Sequence, residues 1–568
     1  MIISSTVCCA VLLSALALSA LGQDASYDVL DEFYKDDLIV NTSTGLVRGG
    51  YGGKTVGKGR DMFRFRSIPY AEPPVGELRF EPPVAKARWE GIVDVRPQGA
   101  ECMQSTKDLM RQSENCLFLK IFTSSLPKKS NNLPVMVWMY GGAFLVGAAD
   151  FNAHGPDYLL DEDVIIVSFH YRTGIFGFLS TGDDVAPGNI GLKDQLLALK
   201  WIKENIKNFG GDPDRITIFG QSAGAVSVGY HLQNKEAEGL FSRAILQSGS
   251  PLCQWALSRV APKTTSDVAK RLKLDRSTSE NMLRALKAVP ASMLQEAWTS
   301  ELLWKLVTDP PLRGLPLGPV IEHNHPGAFI VNRSYELMEK GKFHRVPILI
   351  GHNSLEISTD ADRIPDILKT ISLIFHLQPS KFVPGSLNMQ NLIKSSLLGR
   401  KIKDHYFKSK SAVKNLTEAM VYASVDQFVR PIRETARLYS QHTPVYLYAF
   451  THQGSLGGVY NRTSPGVAHT EDVGYIFDFK HQGSEADYQV RNRMVRMWAN
   501  FAKTGNPTPE DDKLLNGVKW TPNTKGDHHL KTLVIDEDLH IENNFASEDI
   551  RFWDRIFKLY GTRPYSTY

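Results

Sequence analysis

The residues best suited to chemistry in this 568-residue chain lie in Ile216-Thr-Ile-Phe-Gly220-Gln221-Ser222-Ala223-Gly224-Ala225. An apolar strand run breaks there into Gly-x-Ser-x-Gly and then into small residues that suit a helix start. The stretch reads as a nucleophile elbow, a serine held in a tight strand-to-helix turn, with glycines two positions either side because a side chain there would strike neighbouring backbone. Ser222 is therefore the expected nucleophile. Five ordinary residues also recur by chance, and a plain turn is the competing reading of the pentapeptide alone. The strand run before it and the helix-compatible 223–232 stretch after it favour the elbow. A serine hydroxyl is a weak nucleophile at neutral pH, so it needs a base within hydrogen-bond reach and a carboxylate to orient that base. The chain has 16 histidines, and spacing alone selects none of them.

Such groups must be positioned by a scaffold. The apolar runs 135–140, 164–170, 216–219, 243–247, 346–351 and 445–450 are continuous rather than alternating, as strands buried on both faces are. Between the second and third, Leu192, Leu196, Leu199, Ile202 and Ile206 recur at helical spacing until Asn208-Phe-Gly-Gly211 stops them. The resulting strand, helix, strand order predicts an α/β fold with a mostly parallel central sheet flanked by helices, whose ligands bind beyond the carboxyl ends of the strands. Ser222 falls at such an end. No linker, repeat or low-complexity segment interrupts the chain, so residues 23–568 are expected to form a single large domain with insertions.

The sequence is 42% hydrophobic and 22% charged, ordinary for a globular protein with a large core. Its net charge of +4 comes from 65 basic and 61 acidic residues spread along the whole length. That leaves no basic tract for phosphates and makes nucleic acid a poor partner. Residues 1–22 are uncharged, hold an apolar run over 7–18 and end Ala20-Leu21-Gly22, the pattern of a cleaved secretory signal peptide. The run is short for a bilayer core of about 30 Å and no later segment reaches about 18 apolar residues, so a secreted protein without a membrane anchor is expected. The closing Arg563-Pro-Tyr-Ser-Thr-Tyr568 is neither a retention signal nor an apolar tail. Cys8 and Cys9 leave with the signal. Of the other three cysteines, Cys102 and Cys116 are the natural pair, closing a short loop worth about 3 kcal/mol in chain entropy. Cys253 reads as a buried small residue. Asn41, Asn332, Asn415 and Asn461 head sequons open to glycosylation in an oxidising compartment. Oligomeric state has no signature here.

Taken together, Gly220-Gln-Ser-Ala-Gly224, Ser113-Glu-Asn-Cys-Leu-Phe118, Asn189-Ile-Gly-Leu-Lys-Asp-Gln195 and Gly466-Val-Ala-His469-Thr-Glu-Asp472 resemble the carboxylesterase and cholinesterase family of α/β-hydrolases. The likeness runs from about Gly45 to about Phe557. It implies His469 as the base and Glu356, in Gly351-His-Asn-Ser-Leu-Glu356, as the acid, in the order Ser, Glu, His that this fold uses. Glu471 and Asp472 are rivals for the acid. Residues so near His469 on a turn rarely meet it with the right geometry, and both are expected to be supporting or solvated. The resemblance further implies Tyr140-Gly141-Gly142-Ala143-Phe144 as an oxyanion loop, with the amides of Gly142 and Ala143 joined by that of Ala223. Ala143 stands where glycine is frequent. Neither a metal nor an organic cofactor is required.

Cholinesterases in that family carry a tryptophan inside the first disulfide loop and a glutamate before the serine, for a quaternary ammonium. Here residues 103–115 include no aromatic side chain and position 221 is glutamine. A cation meets neither a ring face nor a negative field, so a small, neutral, apolar ester is the expected substrate. The run Gly-Gln-Ser-Ala-Gly-Ala is similar to that of insect juvenile hormone esterases. That likeness implies a sesquiterpenoid methyl ester, a long apolar acyl pocket beside Phe144, and a small space for departing methanol. A general secreted carboxylesterase and a catalytically silent adhesion module on the same scaffold are the alternative expectations.

Overall fold

Eleven strands form the central sheet of this computed structural model, which describes residues 30–568 except 32, 105–110, 128–130, 150–154, 309–313, 359–377, 388, 390, 409–415, 463, 528, 544, 546 and 564. The expected signal segment 1–22 and the sequon at Asn415 lie outside the described residues. In chain order the strands are β1 (Gly50–Lys54), β2 (Asp61–Pro69), β3 (Phe118–Thr123), β4 (Leu133–Met139), β5 (Ile165–Phe169), β6 (Gly211–Gln221), β7 (Arg243–Gln247), β8 (Ile348–Asn353), β9 (Val445–Phe450), β10 (Lys531–Ile535) and β11 (His540–Asn543). In space they run β11-β10-β9-β8-β7-β6-β4-β5-β3-β2-β1. Neighbours from β10 through to β5 are parallel, and the remaining pairs at both edges are antiparallel.

The six continuous apolar runs are β4 to β9, the parallel centre of the sheet, and β5, β8 and β9 are buried at every position. The sequence did not single out β1, β2, β3, β10 or β11. Strands β1, β2 and β11 carry exposed or half-exposed positions, as edge strands in contact with water do. Strand β10 hides its apolar Leu533, Val534 and Ile535 behind Lys531 and Thr532. Strand β4 lies between β5 and β6, so the chain leaves it toward one side of the sheet and returns on the other. The crevice opened by this reversal lies at the carboxyl ends of β4 and β6.

Helices α1 (Ile190–Asn205), α2 (Ala223–Gln233), α3 (Arg430–Ser440), α4 (Glu485–Thr504) and α5 (Ser547–Tyr560) are among those that cover the sheet. Buried apolar side chains from Leu38 to Tyr568 form one contiguous core. Two of the segments that carry the family likeness brace this frame. On α1, the buried Asp194 accepts from Nε (2.8 Å) and Nη2 (2.6 Å) of buried Arg172, while Gln195 donates to Ser227 on α2 (3.0 Å). Glu114 takes both arms of Arg79 at 2.6 Å. Cys102 and Cys116 are disulfide-bonded with Cα atoms 5.0 Å apart, and Cys253 is free and buried. Among the described residues no helix is long and apolar enough to cross a membrane.

Candidate active site

Strand β6 and helix α2 meet at Ser222, whose φ of 59° and ψ of −125° are the strained values of a sharp elbow. The turn closes only because its flanking residues are glycine. A Cβ on Gly220 would lie 2.6 Å from the Gly224 carbonyl carbon, and one on Gly224 would collide with the Met139 carbonyl. Parallel pairing sets Gly220 opposite Met139, so the residues that follow β4 run alongside the elbow. Gly141 abuts it so closely that a Cβ there would stand 2.9 Å from the Cβ of Ser222.

The loop after β4 holds three successive residues with positive φ, Gly142 at 106°, Ala143 at 55° and Phe144 at 60°. For the two with side chains this costs about 1–2 kcal/mol each. The strain is held by Phe144, which is fully buried against Phe178, by its carbonyl accepting from the Gly174 amide at 2.7 Å, and by the Gly142 carbonyl accepting from Leu145 and Val146. The amides of Gly142 and Ala143 donate to nothing among the described residues. Ala223, as the first residue of α2, likewise has no acceptor within its helix. Phe144, expected beside the acyl pocket, is instead a buried prop of the loop.

Glu356 and His469 come from the loops after β8 and β9. Their side chains meet, Nδ1 of His469 lying 2.6 Å from Oε2 of Glu356, and Glu356 is 1% exposed. A carboxylate can only accept, so Nδ1 carries the proton and Nε2 is the basic nitrogen. The loops are also laced through their backbones. Leu355 donates to the Val467 carbonyl (2.9 Å) and His469 to the Glu356 carbonyl (3.0 Å), while Asn353 Nδ2 reaches the Ala468 carbonyl (2.7 Å). The second Glu356 oxygen accepts from the Asn353 amide at 2.8 Å.

Two contacts on the imidazole were not legible in the sequence. The Gln221 amide nitrogen lies 3.2 Å from Nε2 and 3.5 Å from Nδ1. A group nearly equidistant from both nitrogens and in the ring plane would overlap ring carbons, so the amide sits over a face of the ring as an N–H···π contact. Phe428, in the π-helical turn Val425–Val429, packs its ring 4.8 Å away at 50°. The His469 side chain keeps 24% of its surface exposed. Ser222 Oγ and Nε2 are not hydrogen-bonded to each other here; such contacts commonly tighten only when substrate arrives.

The rival acids are neither solvated nor partners of His469. Glu471 is buried, accepts from the Ala468 amide (2.6 Å) and pairs with both arms of Arg462 (2.6 and 3.1 Å), fastening the turn that bears His469. Asp472 is fully buried, held by Gln247 Nε2 (2.8 Å), Asn353 Nδ2 and Tyr448 Oη (both 3.3 Å), and burial above all pushes its pKa up to about 6. The clue was the apolar run Val473-Gly-Tyr-Ile-Phe477 directly after them, which marks a segment bound for the core. Among the described residues no cluster of His, Cys, Asp and Glu is placed to hold a metal ion.

A cavity of ≈ 290 Å³ borders this centre, touching Gly141, Gly142, Gln221 and Thr470 and walled by Trp138, Tyr140, Val473, Phe477 and Phe479. None of the residues lining it carries a charge at neutral pH. The sequon residues Asn41, Asn332 and Asn461 are all exposed.

The sequence profile of the carboxylesterase family matches residues 36–553. Juvenile hormone esterase of Tribolium castaneum is 32% identical over 546 residues, covering 87% of this chain and 90% of that one. Venom carboxylesterase-6 of Apis mellifera is 30% identical over 542 residues, covering 91% and 94%. The crystal structure of juvenile hormone esterase from Manduca sexta, with OTFP covalently attached, superposes with a TM-score of 0.80 at 27% identity, covering 92% of this chain and 99% of that one. With an α/β-hydrolase sheet and a profile match spanning most of its length, the chain belongs to the carboxylesterase family.

Proposed function

We propose that this protein hydrolyses neutral, apolar carboxylic esters by acyl transfer through Ser222, with the methyl ester of juvenile hormone as its substrate. The observation that carries the reading is the 2.6 Å contact between His469 Nδ1 and buried Glu356, which leaves Nε2 as the acceptor. His469 removes the Ser222 proton during attack and returns it to the leaving alkoxide, then activates water against the acyl-enzyme; Glu356 supports the imidazolium in both halves. The tetrahedral oxyanion is met by the unpaired amides of Gly142, Ala143 and Ala223, each worth roughly 3–4 kcal/mol on mutational precedent. Covalent attachment of OTFP in the Manduca sexta relative is in keeping with such a nucleophile. Ser222→Ala is expected to keep the native circular dichroism spectrum and lose both turnover and organophosphate labelling. Hydrolysis surviving in that variant would remove Ser222 from the mechanism.

The uncharged aromatic cavity supports a neutral substrate, and the likeness to juvenile hormone esterases supports that hormone. One observation favours a second reading. The cavity touches Thr470, next to the imidazole that protonates the leaving group, and at ≈ 290 Å³ it offers far more than methanol needs, which suits a general carboxylesterase of larger alcohols. Michaelis constants decide between them: a sub-micromolar value for the hormone against much weaker binding of short naphthyl esters supports the specialist, and similar values the generalist. Secretion is part of the proposal. It rests on the apolar 7–18 run, the Cys102–Cys116 bridge and three exposed sequons. Recovery of glycosylated protein from the medium, beginning near residue 23, tests it.

A further inference from the structure

Helix α3 begins two residues after Phe428 and sends Arg430, Arg433 and Arg437, spaced to share one helix face, into the wall of a second cavity of ≈ 980 Å³. None of Ser222, Glu356 and His469 lines it. Its size is at the upper end of the about 300–1,000 Å³ typical of small-molecule sites. Arg551, Lys558 and Arg563 bring its lining to six cations, against three carboxylates, Glu434, Asp527 and Asp554. None of those carboxylates is hydrogen-bonded to Arg433, although the charge of Asp554 acts on it. Glu434 holds Arg437 (2.6 and 2.7 Å) and Tyr335, Asp527 pairs with Lys531 (3.3 Å), and Asp554 accepts from the Tyr568 hydroxyl (3.2 Å).

Arg433 is the exceptional member. It is 5% exposed, makes one hydrogen bond, from Nη1 to Thr532 (3.2 Å), and has no ion-pair partner; its Nε has no acceptor at all. Arg430, 1% exposed, is paired with Asp426 and caged by the rings of Trp553, Phe557 and Tyr568, yet its Nε and Nη1 also lack acceptors. A buried cation with no anion in contact is costly: burial draws the Arg433 guanidinium down to about 10, against the opposing charges of Asp554 and Glu542. A charge-assisted hydrogen bond from an anion in the cavity would remove that cost. The rest of the wall sets the aromatic and aliphatic side chains of Phe557, Tyr565, Tyr568, Leu530 and Ile550 beside the polar Ser440, Gln441 and His529.

We propose that this cavity binds a small organic carboxylate, its head on Arg433 and its apolar body against the aromatic wall. The class includes the acid that any carboxylic-ester hydrolase releases. The head is single because Arg433 is the one lining cation that is both buried and without a carboxylate partner.

Octanoate is the probe, titrated calorimetrically into the whole protein beside octan-1-ol and inorganic phosphate. Saturable binding of octanoate, none of octanol, and phosphate weaker by about tenfold are expected. Arg433→Met should weaken octanoate by about tenfold or more, the loss of one charge-assisted contact, with an unchanged or raised melting temperature. Arg551→Gln, at the exposed mouth, should weaken it severalfold and decides the matter if the buried variant does not fold. Absence of saturable octanoate binding overturns the site. So does affinity unaltered in Arg433→Met, which would place octanoate in the ester pocket. Phosphate binding as tightly as octanoate would overturn the apolar body.

Discussion

A carboxyl group withheld from water needs a cation or a proton, and Asp472 has no cation in contact. Three neutral donors hold it, and burial raises its pKa from the ordinary 3.8 to about 6. The sign of the linkage follows. Between these two values the folded protein keeps a proton that the unfolded chain gives up, so this group's contribution to stability falls as pH rises through the window and is fully lost above about pH 7. Asp472→Asn cannot ionise and should escape the loss. Urea unfolding of both proteins at pH 4 and pH 7.5 is expected to move the difference in the variant's favour by on the order of 3 kcal/mol; parallel pH dependence would show that Asp472 is not protonated in the fold. Ser222 was legible because an elbow demands particular neighbours. Asp472 and the Gln221 amide over the imidazole were not, because both depend on which distant side chains the sheet register brings beside them.

At the scale of elements, the proposed acid and base, Glu356 and His469, meet because two loops are tied to each other. Backbone bonds between 355–356 and 467–469 align Glu356 with His469, and the buried pair of Glu471 with Arg462 fastens the turn from behind. Glu471→Gln keeps the shape but removes the charge that both arms of Arg462 grip. The turn should loosen while the elbow and the loop after β4, to which Glu471 makes no hydrogen bond, stay in place. We expect kcat to fall by about tenfold to a hundredfold with KM little changed, since a misplaced general base costs rate rather than ground-state binding. Equal loss in both constants would mean that Glu471 shapes the binding pocket instead. Element legibility followed burial. Strands buried on both faces announce themselves as continuous apolar runs, so β4 to β9 were readable from composition. At the edges, β1 and β2 mix exposed or half-exposed with buried positions and β11 is exposed throughout, so these strands resemble loops in sequence.

For the molecule as a whole, the requirement that positions 222, 356 and 469 converge already implied one scaffold, and the single core agrees. Nothing in the residue pattern marks the final residues as part of that core, because two tyrosines among polar residues look like a solvated tail. Tyr568 is 6% exposed. Its amide donates to the Leu252 carbonyl (2.8 Å), and its ring packs at a tilt on Phe557 of α5, centroids 4.2 Å apart, and lies 5.2 Å from the Arg430 guanidinium. The chain end thus ties the segment after β7, helix α3 and helix α5 together. Removing the ring opens a cavity among aromatic neighbours and takes from buried Arg430 one of its three π faces. Tyr568→Ala is therefore expected to cost about 3–5 kcal/mol in urea unfolding. Tyr568→Phe, which gives up only the hydroxyl's 3.2 Å contact with Asp554, should cost about 1 kcal/mol. Turnover at low temperature should survive in both, since Tyr568 touches none of Ser222, Glu356 and His469. An alanine variant as stable as the phenylalanine one would show that the chain end rests on the surface and holds nothing together.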